Sequence, residues 1–432
     1  MNIQNDNSVI QPKDQYYLAC YIFFLLGLTI NMPWFFVVDA QKYWRYKFRN
    51  VPSDYSKNAD NSSELQNYFT SYLHITSHLP YSFFLIINVF ISKWISIRIR
   101  VITTLLLILI LFIITTVFVE IDTDKRQNEF LISTLTTASA GLNGADAVFA
   151  GTMFSVAGNF PSKYISSMSL GQAISGIFAA IFQILSLWLS TGPIATGLMY
   201  FLIGDFIIIF AFISYIFLEK QEFFKYHMKE KVTIKNSDKS IDDTPSSSDN
   251  NSVSYIKIIV KIWPYGLSIF LTFFITYLVY PGVNSLVKSE SSSTSEWSDK
   301  YFVPVATFLT FSIGDYFGCL YSRYSSWLKG KPWLLLSIST ARFIFIPIFF
   351  VCNASADSEK HFPVYITNDF IYMLIMFLFS TSHGFSWSSV FILVPTVVKT
   401  HEQEIASAMI GGFYGVGLSM SSLVSIHFLA LL

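Results

Sequence analysis

The sequence predicts an all-α, multi-pass membrane protein, and three observations carry that expectation. Of its 432 residues 53% are hydrophobic and only 13% charged, against about 25% charged in an average soluble chain; the mean hydropathy is +0.49. Apolar runs of bilayer-spanning length recur from one end of the chain to the other. One long polar interval, Glu219–Ser254, divides six of those runs from five.

In order, the spans are expected at Tyr16–Val38, Phe69–Ser92, Ile99–Val119, Asn128–Gly158, Ser162–Leu189, Pro193–Leu218, Ile256–Tyr280, Tyr301–Ser325, Trp333–Cys352, Phe370–Val398 and Glu404–Leu431. The long runs at 128–189 and 370–431 admit other cuts. An odd number of spans puts the termini on opposite sides. The tail at 1–15 is polar with one lysine, Lys13, and lacks the basic start, short apolar core and small-residue cleavage site of a signal peptide, so the first span is expected to be retained.

Lysine and arginine in the loops orient the chain. With the N-terminus cytoplasmic, the inner loops collect Lys13, Lys93, Arg98, Arg100, Lys163, the run from Lys220 to Lys261, Arg323, Lys329, Lys331 and Lys399; the outer segment from Lys42 to Lys57 argues the other way. That assignment leaves the C-terminus outside and suits a plasma-membrane protein. The interval 219–255 is Lys-rich, then rich in Ser, Asp and Asn, and reads as a disordered cytoplasmic linker between a six-helix bundle at 16–218 and a five-helix bundle at 256–432. The polar stretch 40–66 holds Asn61-Ser62-Ser63, a glycosylation sequon on the expected outer side, and Asn353-Ala354-Ser355 is a second one closer to the membrane.

Several function classes are excluded. Net charge is zero, with 28 basic and 28 acidic residues, so there is no basic footprint for nucleic acid. Cys20, Cys319 and Cys352 lie far apart in apolar surroundings, which suggests neither a disulfide framework nor a metal site. There is no phosphate-binding loop, nucleophile elbow, HExxH or CxxC, and the seven histidines are scattered, so no ATP-driven step, no cofactor and no enzymatic activity is expected.

The most informative stretch is Phe308-Leu-Thr-Phe-Ser-Ile-Gly-Asp315-Tyr-Phe-Gly-Cys319. Helical spacing puts Phe308, Phe311, Ser312, Asp315 and Cys319 on one stripe, roughly 16 Å long at 1.5 Å per residue. An ionised Asp at the centre of a membrane helix costs about 2.5–3.5 kcal/mol on insertion scales, so Asp315 should face protein or a wet cavity. The plainer alternative is a structural carboxylate buried against a neighbouring helix.

The motifs in order resemble the equilibrative nucleoside transporter family. Phe160-Pro161-Ser-Lys-Tyr164 followed by Gly171-Gln172-Ala173-Ile-Ser-Gly176 looks like its P-x-x-Y and G-Q-x-x-x-G sequence; the Asp315 stretch, Ala341-Arg342-Phe-Ile-Phe-Ile-Pro347, Cys352-Asn353, Pro33-Trp34, Pro80 and Tyr280-Pro281 are similar in order and spacing. The resemblance implies a major-facilitator-like arrangement of six and five helices around a central cavity. It also implies facilitative movement of nucleosides, sometimes nucleobases, by alternating access within a lipid bilayer, in the service of purine salvage.

By the same resemblance Asp315 accepts ribose hydroxyls, Gln172 hydrogen-bonds a base edge and Trp34 stacks on the base. Val38, His78, Tyr81, Tyr280, Phe308, Ser312 and Leu418 fall on cavity-facing positions. Gly171 and Gly176 read as close helix packing. The chain departs from the family in three places: Cys319 replaces an arginine, Phe35 replaces the asparagine after the tryptophan, and Ser312 replaces another asparagine. Arg323 stands a turn beyond Cys319 and is a candidate substitute. Arg342 needs an anion or carbonyls within the membrane, with Asp315 or Asp146 as candidate partners. Asp146 and Asp205 read as gating or helix–helix residues. His78 and His383 read either as satisfied structural groups or as titrating groups that make transport pH-sensitive; proton coupling stays open. The rival functions are a major-facilitator-type carrier of another solute, such as a sugar or amino acid, and a non-transporting receptor.

Overall fold

The computed structural model describes residues 12–49, 64–91, 94–157, 160–228, 255–291, 295–354, 363–399 and 402–429. The expected sequon at Asn61, Lys93 and the stretch 229–254 lie outside them. The N-terminal half forms α1 (Leu18–Asp39), α2 (Gln41–Lys47), α3 (Glu64–Ile91), α4 (Ile97–Glu120), α5 (Gln127–Thr134), α6 (Leu142–Ala157), α7 (Ser162–Leu189) and α8 (Pro193–Lys220). The C-terminal half forms α9 (Tyr255–Val279), α10 (Thr310–Ser322), α11 (Pro332–Ala341), α12 (Phe345–Phe350), α13 (Asp369–Val397) and α14 (Gln403–Leu429). Wide π-turns at Leu135–Gly141 and Val303–Leu309 lead into α6 and α10, and a tight turn at Arg342–Ile344 joins α11 to α12. Two isolated bridges join Val287 with Ala354 and Cys352 with Ile366.

These helices are built for a membrane. On α4, Val101, Leu105, Ile108 and Phe112 are buried while Leu106, Leu107, Ile110, Ile113 and Val117 are exposed. Nearly uniform apolarity with one half turned outward is what a lipid-facing helix needs, because every backbone polar group is already satisfied within the helix. Among the described residues nine helices are long and apolar enough to span, rather than the expected eleven. The remaining two positions hold α3, 28 residues long and roughly 42 Å at 1.5 Å per residue, and the helical run from α5 through α6. Both carry buried polar groups, His74, His78 and Asn88 on α3, Asn143 and Asp146 on α6, that lower their apolarity.

Small residues set the closest approaches. A methyl group at Gly171 on α7 would sit 2.0 Å from the Phe24 carbonyl oxygen of α1, so the two backbones touch and only glycine fits. The neighbouring P-x-x-Y motif has a structural role: Tyr164 is fully buried and donates to Asp14 Oδ2 at 3.0 Å, while Asp14 Oδ1 accepts from the Ala19 amide at 3.0 Å. This clasp fixes the start of α1 on α7.

One apolar cluster is drawn wholly from residues 19–224, another from 258–418, and a third joins Val38 and Ala180 of the N-terminal half to Tyr280, Phe308 and Phe311 of the C-terminal half. The interval expected to be disordered from Glu219 is packed at its start: Phe223 and Phe224 are buried, and His227 stacks on Phe160 at 5.0 Å. Three aromatic side chains within six residues keep that segment on the first cluster, a signal masked by its lysines.

Candidate functional site

The site begins with the packing of α10 on α13. Methyl groups at Gly318 and Gly384 would lie 2.2 Å from the Thr381 oxygen and 2.1 Å from the Asp315 oxygen, so the two backbones run in contact. That contact brings His383 and Trp387, one turn apart on α13, onto the side chain of Asp315. His383 Nδ1 lies 2.8 Å from Asp315 Oδ1, and Trp387 Nε1 donates to the same oxygen at 3.3 Å. The carboxylate is 18% exposed, which distinguishes it from a sealed structural group.

It opens on a cavity between the two halves lined by Asn31 and Phe35 of α1, Gln172, Ala173 and Gly176 of α7, Phe311, Ser312 and Asp315, and Trp387. Its free volume is about 30 Å³, room for roughly two water molecules. A methyl at Gly176 would come within 2.5 Å of Ser312 Oγ, so the halves meet closely along one wall.

Of the residues expected to bind a ligand, Gln172, Ser312 and Asp315 line this cavity. Trp34, Val38, His78, Tyr81, Tyr280, Phe308 and Leu418 do not. Tyr280 stacks on Phe311 at 3.8 Å with planes 9° apart and has Phe308 at 6.1 Å. Val38, Phe308 and Leu418 are buried in apolar packing. Trp34 packs against His74 and His78 at 5.2 and 5.4 Å, and His78 Nδ1 meets Ser422 Oγ at 2.6 Å across the two halves. Tyr81 lies 6.1 Å from Tyr414, again across the halves. At the rim, Lys42 Nζ pairs with Asp299 Oδ2 at 2.9 Å.

The expected charge partners are corrected. Arg342 is buried, but it donates to Ser382 Oγ at 3.0 Å, the Thr272 carbonyl at 2.7 Å and Thr276 Oγ1 at 2.8 Å, with its guanidinium over the Phe379 ring, rather than to Asp315 or Asp146. Neutral acceptors on α9 and α13 satisfy its fork geometry without a second buried charge. Arg323 is exposed just beyond α10 and is not among the residues that line the cavity. Cys319 instead sits against the Gly384 carbonyl at 3.7 Å. Asp205 accepts from Thr116 at 2.7 Å, a helix–helix contact; Asp146 is buried, with Oδ1 lacking a partner among the described residues.

Sequence reasoning missed Asn31 and Trp387, and it did not pair His383 with Asp315. The i, i+4 spacing of His383 and Trp387 on an apolar helix was the available signal. Asn31, one turn before Phe35, supplies a polar group on the wall where the family's asparagine is absent.

The family model described as "Nucleoside transporter" matches residues 136–430. The chain is 28% identical over 458 residues to rat equilibrative nucleoside transporter 2, covering 98% of this chain and 99% of that protein. It is 27% identical to human equilibrative nucleoside transporter 1, with the same coverage, and 22% identical to equilibrative nucleotide transporter 1 of Arabidopsis thaliana, covering 96% of this chain and 86% of that one.

Proposed function

The chain belongs to the nucleoside transporter family, and we propose that it works by alternating access, with a nucleoside held at Asp315 and Gln172 between its two helical halves. It is an integral, multi-pass membrane protein and a facilitative nucleoside carrier, not an enzyme. The observation that carries the site assignment is the cavity at the junction of the halves, lined by both Gln172 and the partly exposed carboxylate of Asp315.

In this reading the ribose hydroxyls donate to Asp315. His383 and Trp387 hold that carboxylate by Oδ1, and its other oxygen serves the sugar. The Gln172 amide gives and takes hydrogen bonds with the base. A cavity with room for roughly two waters is far too small for a nucleoside, which supports reading this state as closed around the site. At the α2 end the halves are held together by Lys42–Asp299 and by the apolar cluster that joins Val38 to Tyr280 and Phe308, so release is assigned to the opposite end. With the loop charges orienting α2 outward, that end is cytoplasmic and the membrane is the plasma membrane, with Asn61 on the glycosylated side. Rocking of the six-helix and five-helix bundles then exchanges access without any covalent step.

Uptake of labelled adenosine by proteoliposomes, competed with unlabelled nucleosides, nucleobases and sugars, tests this. Saturable uptake displaced by nucleosides and not by glucose is expected; displacement by sugars alone would overturn it.

A further inference from the structure

Resting on that transport reading, we propose that His74 is a specificity-determining residue that hydrogen-bonds the edge of the nucleobase, with Trp34 supplying the face on which the base stacks. His74 is 2% exposed, and both of its ring nitrogens are buried without a hydrogen-bond partner among the described residues. Its polar neighbours on α3 are committed: Ser77 and Thr76 bond Ser139, and His78 bonds Ser422. A buried imidazole held for structure is normally tied by at least one nitrogen, so a ring with both free is unspent recognition capacity.

Its position fits that use. The ring stands edge-on to the Trp34 indole at 5.2 Å and 89°, and Trp34 follows Asn31 and precedes Phe35, which both line the Asp315 cavity. The remaining side of the His74–His78 pair is covered by Tyr277 of α9, at 5.7 and 4.9 Å. Tyr277 belongs to the opposite half, so parting of the halves at the α2 end carries it away and bares an aromatic face beside the cavity. A planar heteroaromatic ring takes the place of Tyr277 there. A neutral imidazole offers one N–H and one lone pair, which matches the mixed donor and acceptor edge of a nucleobase and gives nothing to the ribose at Asp315.

The test is selectivity. His74→Phe and His74→Leu each keep bulk and remove both nitrogens, and either one reports. In proteoliposomes, half-inhibition by adenosine, inosine and uridine, which differ in the base, is compared with the pair adenosine and 2′-deoxyadenosine, which differ in the sugar. The expected result is a change of roughly tenfold in the ratios between bases, with the sugar pair's ratio unchanged, because a site built to hydrogen-bond a group discriminates by that group. Equal weakening for every compound, or no change, would make His74 structural and overturn the proposal. No nucleoside uptake by the unmodified protein would overturn the transport reading itself, a separate result.

Discussion

Asp315 combines two properties that a membrane interior rarely allows together, a negative charge and partial access. Two N–H groups converge on one of its oxygens, so the neutral isostere alters the charge without altering the shape. Hydrogen bonds to charged groups are worth about 1.5–3 kcal/mol, so Asp315→Asn is expected to weaken nucleoside competition by about 10- to 100-fold. Asp315→Ala and Gln172→Ala are expected to abolish saturable uptake while the protein still inserts, measured as uptake per inserted molecule. Arg342 makes the contrasting case: it serves the fold, tying α11–α12 to α9 and α13 through neutral acceptors. Arg342→Met should lower stability by about 1.5–3 kcal/mol, read as a fall in thermal midpoint in detergent. Asp315 was legible because a lone charge in an apolar run stands out at once. Its partners were not, because His383 lies 68 residues away and meets it only after two glycine-lined backbones dock.

At the scale of elements, docking of α10 on α13 is the step that creates the site. A side chain at Gly384 collides with the backbone of Asp315 itself, and one at Gly318 with that of Thr381 and Phe385. Gly384→Ala is expected to cost about 1–3 kcal/mol through overpacking and to reduce uptake, with Gly384→Leu failing to give a monodisperse protein on size exclusion. Helix identity and order were readable from apolar run length. The polarity of α3 and α6 was harder to read, since His74, His78, Asn88, Asn143 and Asp146 turn toward other helices and only the fold reveals their direction. The same limit hid the packing of Trp34 on His74 and His78 and of Tyr280 on Phe311: sequence places a residue on a helix face, but what that face meets depends on how the helices are set.

For the whole molecule, the alternating-access proposal requires the contacts between the halves at the α2 end to part. Lys42 and Asp299 make one of these contacts, and at 23% and 72% side-chain exposure their attraction alone is weak. Their value is as handles. Lys42→Cys together with Asp299→Cys, joined by a short bis-maleimide, is expected to stop uptake, while either single variant treated the same way keeps it. Continued uptake by the joined protein would mean that the α2 end need not open. The polar interval after α8 is packed at its start, where Phe223 and Phe224 are buried and His227 stacks on Phe160, further along the chain than charge alone suggested.

The clasp at Asp14 bears on how the gene can be edited. A reporter fused ahead of Pro12 leaves both oxygens of that carboxylate in place, whereas trimming three residues further, through Asp14, strands the phenol of Tyr164 in the protein interior. Shortened versions should therefore reach the membrane normally up to that boundary and drop in yield once it is crossed.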